Sequence, residues 1–152
     1  MVAISYDKGV IECHKCDDLN SSYFASFVND KFDDMFAKAD KNGSRLSIQD
    51  NAPNQNSALV RRMLRTKRAK QLFIPSRSAD INCIENFFHL VKRELRKQAL
   101  ELNITHETFE EFATRVIRTM YNFPVEKINK IIETMDGRMY AIIEGKGQRL
   151  KY

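Results

Sequence analysis

The stretch Leu46-Ser47-Ile48-Gln49-Asp50-Asn51-Ala52-Pro53 constrains the fold more than any other part of the chain. Its apolar run reads as a short buried strand. The residues after Asp50 cannot continue that strand, because Asn and Asp favour turns and proline removes a ladder donor. The strand therefore ends on an acid. On both sides the apolar spacing is helical. Upstream, Phe24, Phe27, Val28, Phe32, Met35 and Phe36 recur at three- and four-residue intervals behind a cap at Asn20 or Ser21. Downstream, Asn54-Gln55-Asn56-Ser57 offers a cap for a helix of about 58 to 69, with Leu59, Val60, Met63 and Leu64 as its apolar side. A strand held between two amphipathic helices points to an α/β domain.

The flanking chain extends this pattern. Val2 to Tyr6 and Val10 to His14 are β-prone, and Asp7-Lys8-Gly9 between them reads as the turn of an antiparallel hairpin. Leu72-Phe73-Ile74, stopped by Pro75, is another buried-strand candidate. From Ile84 onward Phe87, Phe88, Val91 and Leu95 trace a helix stripe, with Lys92, Arg93, Arg96 and Lys97 on the opposite side. Thr105 is expected to cap the next helix, with Ile104 stapled onto Phe109 and with Phe109, Phe112, Val116 and Met120 buried. Pro124 suits the first turn of a last helix carrying Val125, Ile128, Ile131, Ile132 and Met135, which Asp136-Gly137 is expected to break or bend. The order is strand, strand, helix, strand, helix, strand, then a helical C-terminal third. It alternates too irregularly for a doubly wound sheet, and no glycine-rich phosphate loop, Gly-x-Ser-x-Gly elbow or His-Glu-x-x-His is present.

A chain of 152 residues with 43% apolar residues and ten Phe can bury one real core, so residues 1-152 are expected to form a single domain. No apolar run approaches the ~20 residues needed to span a bilayer, and no basic segment precedes an apolar one at the N-terminus, which gives the expectation of a soluble, intracellular protein. Three cysteines, an odd count, suit a reducing compartment. Cys13 and Cys16 lack a second ligand pair at zinc-knuckle spacing and read as ordinary strand-end cysteines. The net charge of +5 is concentrated: Arg61, Arg62, Arg65, Lys67, Arg68 and Lys70 fall in ten residues without an acid. A solvated helix face accounts for such a run, and a polyanion partner is the functional alternative.

Thirty-four residues separate Asp50 from Glu85, which lies where loop chemistry gives way to a helix. Taken singly, each acid has an ordinary use: Asp50 as a turn former, and Glu85 as the far half of a capping box begun at Asn82. Together with their surroundings they carry a resemblance. Gln49-Asp50-Asn51-Ala52-Pro53, Ile74-Pro75-Ser76-Arg77-Ser78, Asp80, Asn82 and Ile84-Glu85-Asn86 resemble the second and third acidic motifs of mariner-like DDE transposases and integrases, and the interval between the acids matches. Ile104-Thr105 to Phe112, Phe123-Pro124-Val125-Glu126 and the segment from Gly147 to Tyr152 look like the C-terminal end of such elements. Ala79 and Cys83 depart from the pattern, which usually has prolines there, and their loss should loosen the loop before Glu85.

The resemblance implies an RNase H-like fold in which three carboxylates hold two magnesium or manganese ions for cleavage and strand transfer at DNA phosphodiesters. Asp50 and Glu85 would be catalytic acids and metal ligands. Hard oxygen donors of this kind suit those ions. The chain is then expected to be a partial catalytic domain lacking the first strand, its Asp and the N-terminal helix-turn-helix DNA-binding domain. In isolation it should be inactive. DNA would be the partner, with Arg61, Arg62, Arg65, Lys67, Arg68, Lys92, Arg93 and Arg96 on its phosphates. A second copy of the chain is a further candidate partner, no small-molecule substrate is implied, and the location would be nuclear. A non-catalytic nucleic-acid-binding or regulatory module using the same basic helices is the alternative.

Overall fold

Asp7 and Gly9 turn the chain back on itself almost as soon as it starts. In the computed structural model, which describes residues 1–39, 43–49, 52–72, 74 and 81–148, both have left-handed backbones, with φ of 60° and 72°. The turn joins strand β1 (Val2–Ser5) to β2 (Gly9–Cys13) in an antiparallel pair, with a bulge between Ala3 and Ile4. Glycine is required at position 9 on two counts: the positive φ, and Val125 Cγ2 only 3.1 Å from where a Cβ would stand. Among the described residues, β3 (Leu46–Ile48), β4 (Lys70–Leu72) and five helices follow in the order expected from sequence: α1 (Ser21–Ala39), α2 (Ala58–Thr66), α3 (Cys83–Glu101), α4 (Phe109–Tyr121) and α5 (Val125–Glu144). They gather into two compact units, Met1–Lys15 with Cys83–Tyr152, and Cys16–Asn82.

In the first unit the hairpin lies on the C-terminal helices. Phe87, Val91 and Leu95 of α3, Met120 of α4, Phe123, and Ile128 and Ile131 of α5 form the buried cluster, with Val2, Ile4 and Val10 packed against it. Phe87 meets Phe123 edge to face at 5.4 Å. Polar contacts fix the hairpin turn on α5. The Asp7 N–H donates to Asn129 Oδ1 at 2.9 Å, Asn129 Nδ2 donates back to Asp7 Oδ1 at 2.8 Å, and the Tyr6 hydroxyl donates to Glu133 at 2.7 Å.

Three expectations fail in this unit. The cap of α4 is Thr108, not Thr105, because Thr108 and Glu111 form a reciprocal capping box that Thr105 has no acid to complete. Starting there turns Phe109 and Phe112 outward, and Phe109 is 66% exposed. Gly137 does not break α5, which runs on as helix to Glu144. A single helical glycine costs only about 1 kcal/mol, which the buried Ile128 and Ile131 on the same helix outweigh.

In the second unit the Asn20 side chain accepts the Tyr23 N–H at 2.9 Å and opens α1, whose Phe24, Ala25, Phe27, Val28 and Phe32 are buried. α1 packs on α2, which Ser57 caps through Val60 N and which buries Val60 and Leu64. α2 stops earlier than its spacing suggests. Arg68 takes a left-handed φ of 53°, its N–H reaches the Arg65 carbonyl, and the Ala69 N–H reaches the Leu64 carbonyl at 2.9 Å. This is the Schellman closure that usually falls to glycine. The Lys70 N–H then bonds the Arg45 carbonyl at 2.7 Å and sets β4 parallel to β3. The two strands are not the buried ones expected. β4 begins two residues early, at Lys70, and Leu46 (49% exposed) and Leu72 (45%) face outward, while Ile74 is buried beyond the strand.

Candidate functional site

Glu85 stands in the first turn of α3. Exposed backbone N–H groups and the positive end of the helix dipole favour a carboxylate there. Its side chain is exposed and has no hydrogen-bond or ion-pair partner among the described residues, so the capping role open to it in the sequence is not taken. Phe87 and Val91 hold this end of α3 by their burial, which fixes the helix that carries the acid. Asp50 lies outside the described residues. Among the described residues no group of three or more His, Cys, Asp or Glu side chains comes together as a metal site. Asp7, the earliest acid, is committed to Asn129.

Arg61, Arg62, Arg65 and Arg68 are exposed, opposite the Val60 and Leu64 that α2 buries. Lys67 stands apart from them. Its ammonium donates to Asp33 Oδ2 at 2.6 Å, and Arg45 donates to the other oxygen of the same carboxylate. The Lys67 and Arg45 bonds hold the Asp33 carboxyl below the usual carboxylate range. On α3, Lys92, Arg93 and Arg96 are exposed, opposite Phe87, Val91 and Leu95.

Beside Glu85 lies an arrangement that the motif reading passed over. Arg138 of α5 is 5% exposed, and its Nη1 donates to Asn86 Oδ1 at 2.7 Å. Burial pushes the Cys83 thiol up, and the charge of Arg138 draws it partly back. The signal was in the spacing: Ile128, Ile131, Met135 and Arg138 continue the buried register of α5, so an arginine occupies a core position.

An α/β chain with an acid at the mouth of a helix and basic faces on α2 and α3 fits the class of nucleic-acid-processing domains. Residues 1–105 match the DDE superfamily endonuclease family. The chain belongs to that family, on its mariner-like side. The Transposable element Tcb1 transposase of Caenorhabditis briggsae is 27% identical over 117 residues, which are 77% of this chain and 41% of that protein. The Tc3 transposase of Caenorhabditis elegans is 27% identical over 104 residues, 68% of this chain and 30% of that protein. The chain thus spans well under half the length of these curated relatives. The solved catalytic domain of Mos1 mariner transposase superposes with a TM-score of 0.72 at 16% identity, over 95% of this chain and 72% of that one. That likeness bears out the RNase H-like fold, and it extends through α4 and α5, beyond the family match. Structures of the Mos1 catalytic domain with manganese and with magnesium are similar to the chain to the same degree. Among the described residues no helix is long and apolar enough to cross a membrane.

Proposed function

We propose that this chain carries two of the acids of a transposase-type DNA phosphoryl-transfer centre, Asp50 and Glu85, and that both are ligands for magnesium or manganese. The observation that carries this reading is the family match over residues 1–105, which spans both acids, joined to the unpartnered, exposed carboxylate of Glu85 at a helix start. A hard carboxylate oxygen with no protein cation paired to it among the described residues suits a hard divalent ion. When bound, two such ions activate the attacking oxygen and stabilise the leaving one at a phosphodiester. The protein's own part is to hold Glu85 on a helix anchored by Phe87 and Val91, and to bind the DNA backbone.

For that backbone we assign Arg61, Arg62, Arg65 and Arg68 of the α2 region and Lys92, Arg93 and Arg96 of α3. Lys67 joins them as the cation that neutralises Asp33. Mos1 transposase, whose catalytic domain is similar to this chain, has been solved in a strand transfer complex. Pairing with a second copy, residence in the nucleus and membership of 1-152 in one catalytic domain belong to the same proposal. The 152-residue chain assayed alone is expected to be inert toward terminal-repeat DNA, since Asp7 is engaged by Asn129.

Titrating the chain with Mn2+ and following amide broadening by NMR tests the acids. Broadening at Glu85 should be lost in Asp50→Ala as well as in Glu85→Ala; broadening that survives both changes overturns the metal reading. The DNA face is tested by changing Arg61, Arg62, Arg65 and Arg68 together to Ala. Affinity at low salt should fall uniformly across sequences, and the salt slope should flatten by roughly 3 to 4 if each arginine meets one phosphate. Unchanged affinity removes α2 from the interface.

A further inference from the structure

We infer that Arg138, far along α5 and outside the family match, is a positioning residue for Glu85: it ties the first turn of α3 through Asn86. This rests on the reading of Glu85 as a metal ligand and adds the group that aims it. A guanidinium is almost never buried without partners, because taking its charge from water costs more than ordinary packing returns. Arg138 is nevertheless 5% exposed, and its Nη1 lies 2.7 Å from the side-chain oxygen of Asn86, the residue after Glu85. The cation sits on the buried register of α5 with Ile128 and Ile131.

What this contact touches is the part of α3 least able to hold itself. The first N–H groups of a helix have no partners within it, so the opening turn frays unless something outside fixes it. Phe87, two residues after Glu85, anchors the buried side of the helix, and Glu85 stands on the exposed side. A charge-assisted bond from a second helix adds a restraint, and it is stronger than a neutral one. It restrains Asn86, and through the shared backbone the direction in which the neighbouring carboxylate leaves the helix. Metal ligands depend on such outer partners for their orientation, and losing one typically weakens metal binding tenfold or more.

The test compares Arg138→Met, which keeps the length of the side chain but no donor, with Arg138→Lys, which keeps a donor. Hydrogen exchange is followed at Phe87, Phe88 and His89, whose N–H groups close the first turn, with the last turn of α3 as the internal control. Arg138→Met should speed exchange at those three amides by on the order of tenfold while the control is unchanged, and Arg138→Lys should restore most of the protection. In the same samples the Mn2+ concentration giving half-maximal broadening at Glu85 should rise roughly tenfold in Arg138→Met and return toward the parent value in Arg138→Lys. Exchange and Mn2+ midpoint both at parent values in Arg138→Met overturn the inference. So does exchange that rises equally along the whole of α3, since that marks a core residue and nothing more. Failure of the underlying reading has a different signature: Mn2+ broadening in the parent chain that ignores Glu85→Ala, whatever the Arg138 variants do.

Discussion

Among the described residues, the hairpin and C-terminal helices leave fewer exposed strand apolars and fewer unanswered buried polar atoms than the segment from Cys16 to Asn82. In the first unit apolar residues from β1, β2, α3 and α5 meet in one cluster, and the polar groups at its border are answered: Asp7 by Asn129, Thr119 by Gln98, and Arg115 by Glu107 and the Leu95 carbonyl. In the second, Leu46, Ile48 and Leu72 face outward, while Arg45 Nε, Ser47 Oγ, Asn54 Oδ1 and Gln55 Oε1 are buried without a hydrogen-bond partner among the described residues. Buried groups left unsatisfied cost stability, and they recur where a chain serves something besides its own fold. Those four groups flank Asp50 in sequence, against one such atom in the first unit among the described residues, Arg138 Nε. On this comparison the hairpin and the C-terminal helices carry the larger share of the stability.

If that difference holds, the largest effect should come from truncating the centre of the first unit's core. Phe87→Ala removes a fully buried ring and its edge-to-face contact with Phe123, and it should cost about 3–5 kcal/mol, a large share of the roughly 5–15 kcal/mol that holds a domain folded. Phe32→Ala in α1 also removes a buried ring, one set edge-on between Phe27 and Phe36, but its neighbours on a single helix can close in more easily. It should fall at the low end of the same range. Urea unfolding followed by circular dichroism measures both. An equal or larger loss from Phe32→Ala would show that α1 is packed as tightly as α3 and would erase the contrast.

The contrast also sorts what could be read beforehand. The order of elements was legible because each apolar face repeats with a clear period: Phe24, Phe27, Val28 and Phe32 in α1, and Phe87, Val91 and Leu95 in α3. Helix ends were less so. The Schellman turns after α2 and α5 use Arg68 and Lys146, at φ of 53° and 51°, where a reader looks for glycine. β3 and β4 misled for another reason. Leu46, Ile48 and Leu72 look like core, but strand burial depends on what covers the sheet, which a three-residue run does not encode. Within the site, motif spacing singled out Glu85, while Arg138 was hidden by its charge: a hydrophobic count skips an arginine even when the register says it points inward.

Next in size come the caps, one in each unit. Thr108→Ala removes the hydroxyl that accepts Glu111 N and donates to Glu111 Oε2 at 2.7 Å, leaving the bond from the backbone N–H at 108 to Glu111 as the remaining half of the capping box, and it should cost about 1–2 kcal/mol. Ser57→Ala removes a single bond of 3.3 Å and should cost about 0.5–1 kcal/mol. Thermal melts of the two variants beside the parent rank them. A reversed ranking would mean that α2 depends on its cap more than α4 does, and hence that tertiary packing supports α2 less than its buried Val60 and Leu64 suggest.

The smallest difference is electrostatic and is read as a function of pH. Lys67 and Arg45 hold the Asp33 carboxyl below the ordinary range in the second unit, and Arg115 does the same for Glu107 in the first. A carboxyl depressed in the folded chain stabilises fully above its unfolded pKa, about 3.9 for Asp and 4.3 for Glu, and that contribution drains away as pH falls through the lower folded value. Neither pair should therefore alter the pH dependence of stability between about pH 6 and 8, and both should add to the loss of stability below about pH 4. Asp33→Asn should flatten that acid limb as seen by exchange in α1 and α2, and Glu107→Gln as seen in α3 and α4. Asp33 gathers two cations and Glu107 one bidentate arginine, so Asp33→Asn should flatten its limb more. Exposed ion pairs often contribute nothing measurable, and an acid limb unchanged in Asp33→Asn would put Lys67 back among the cations available to DNA.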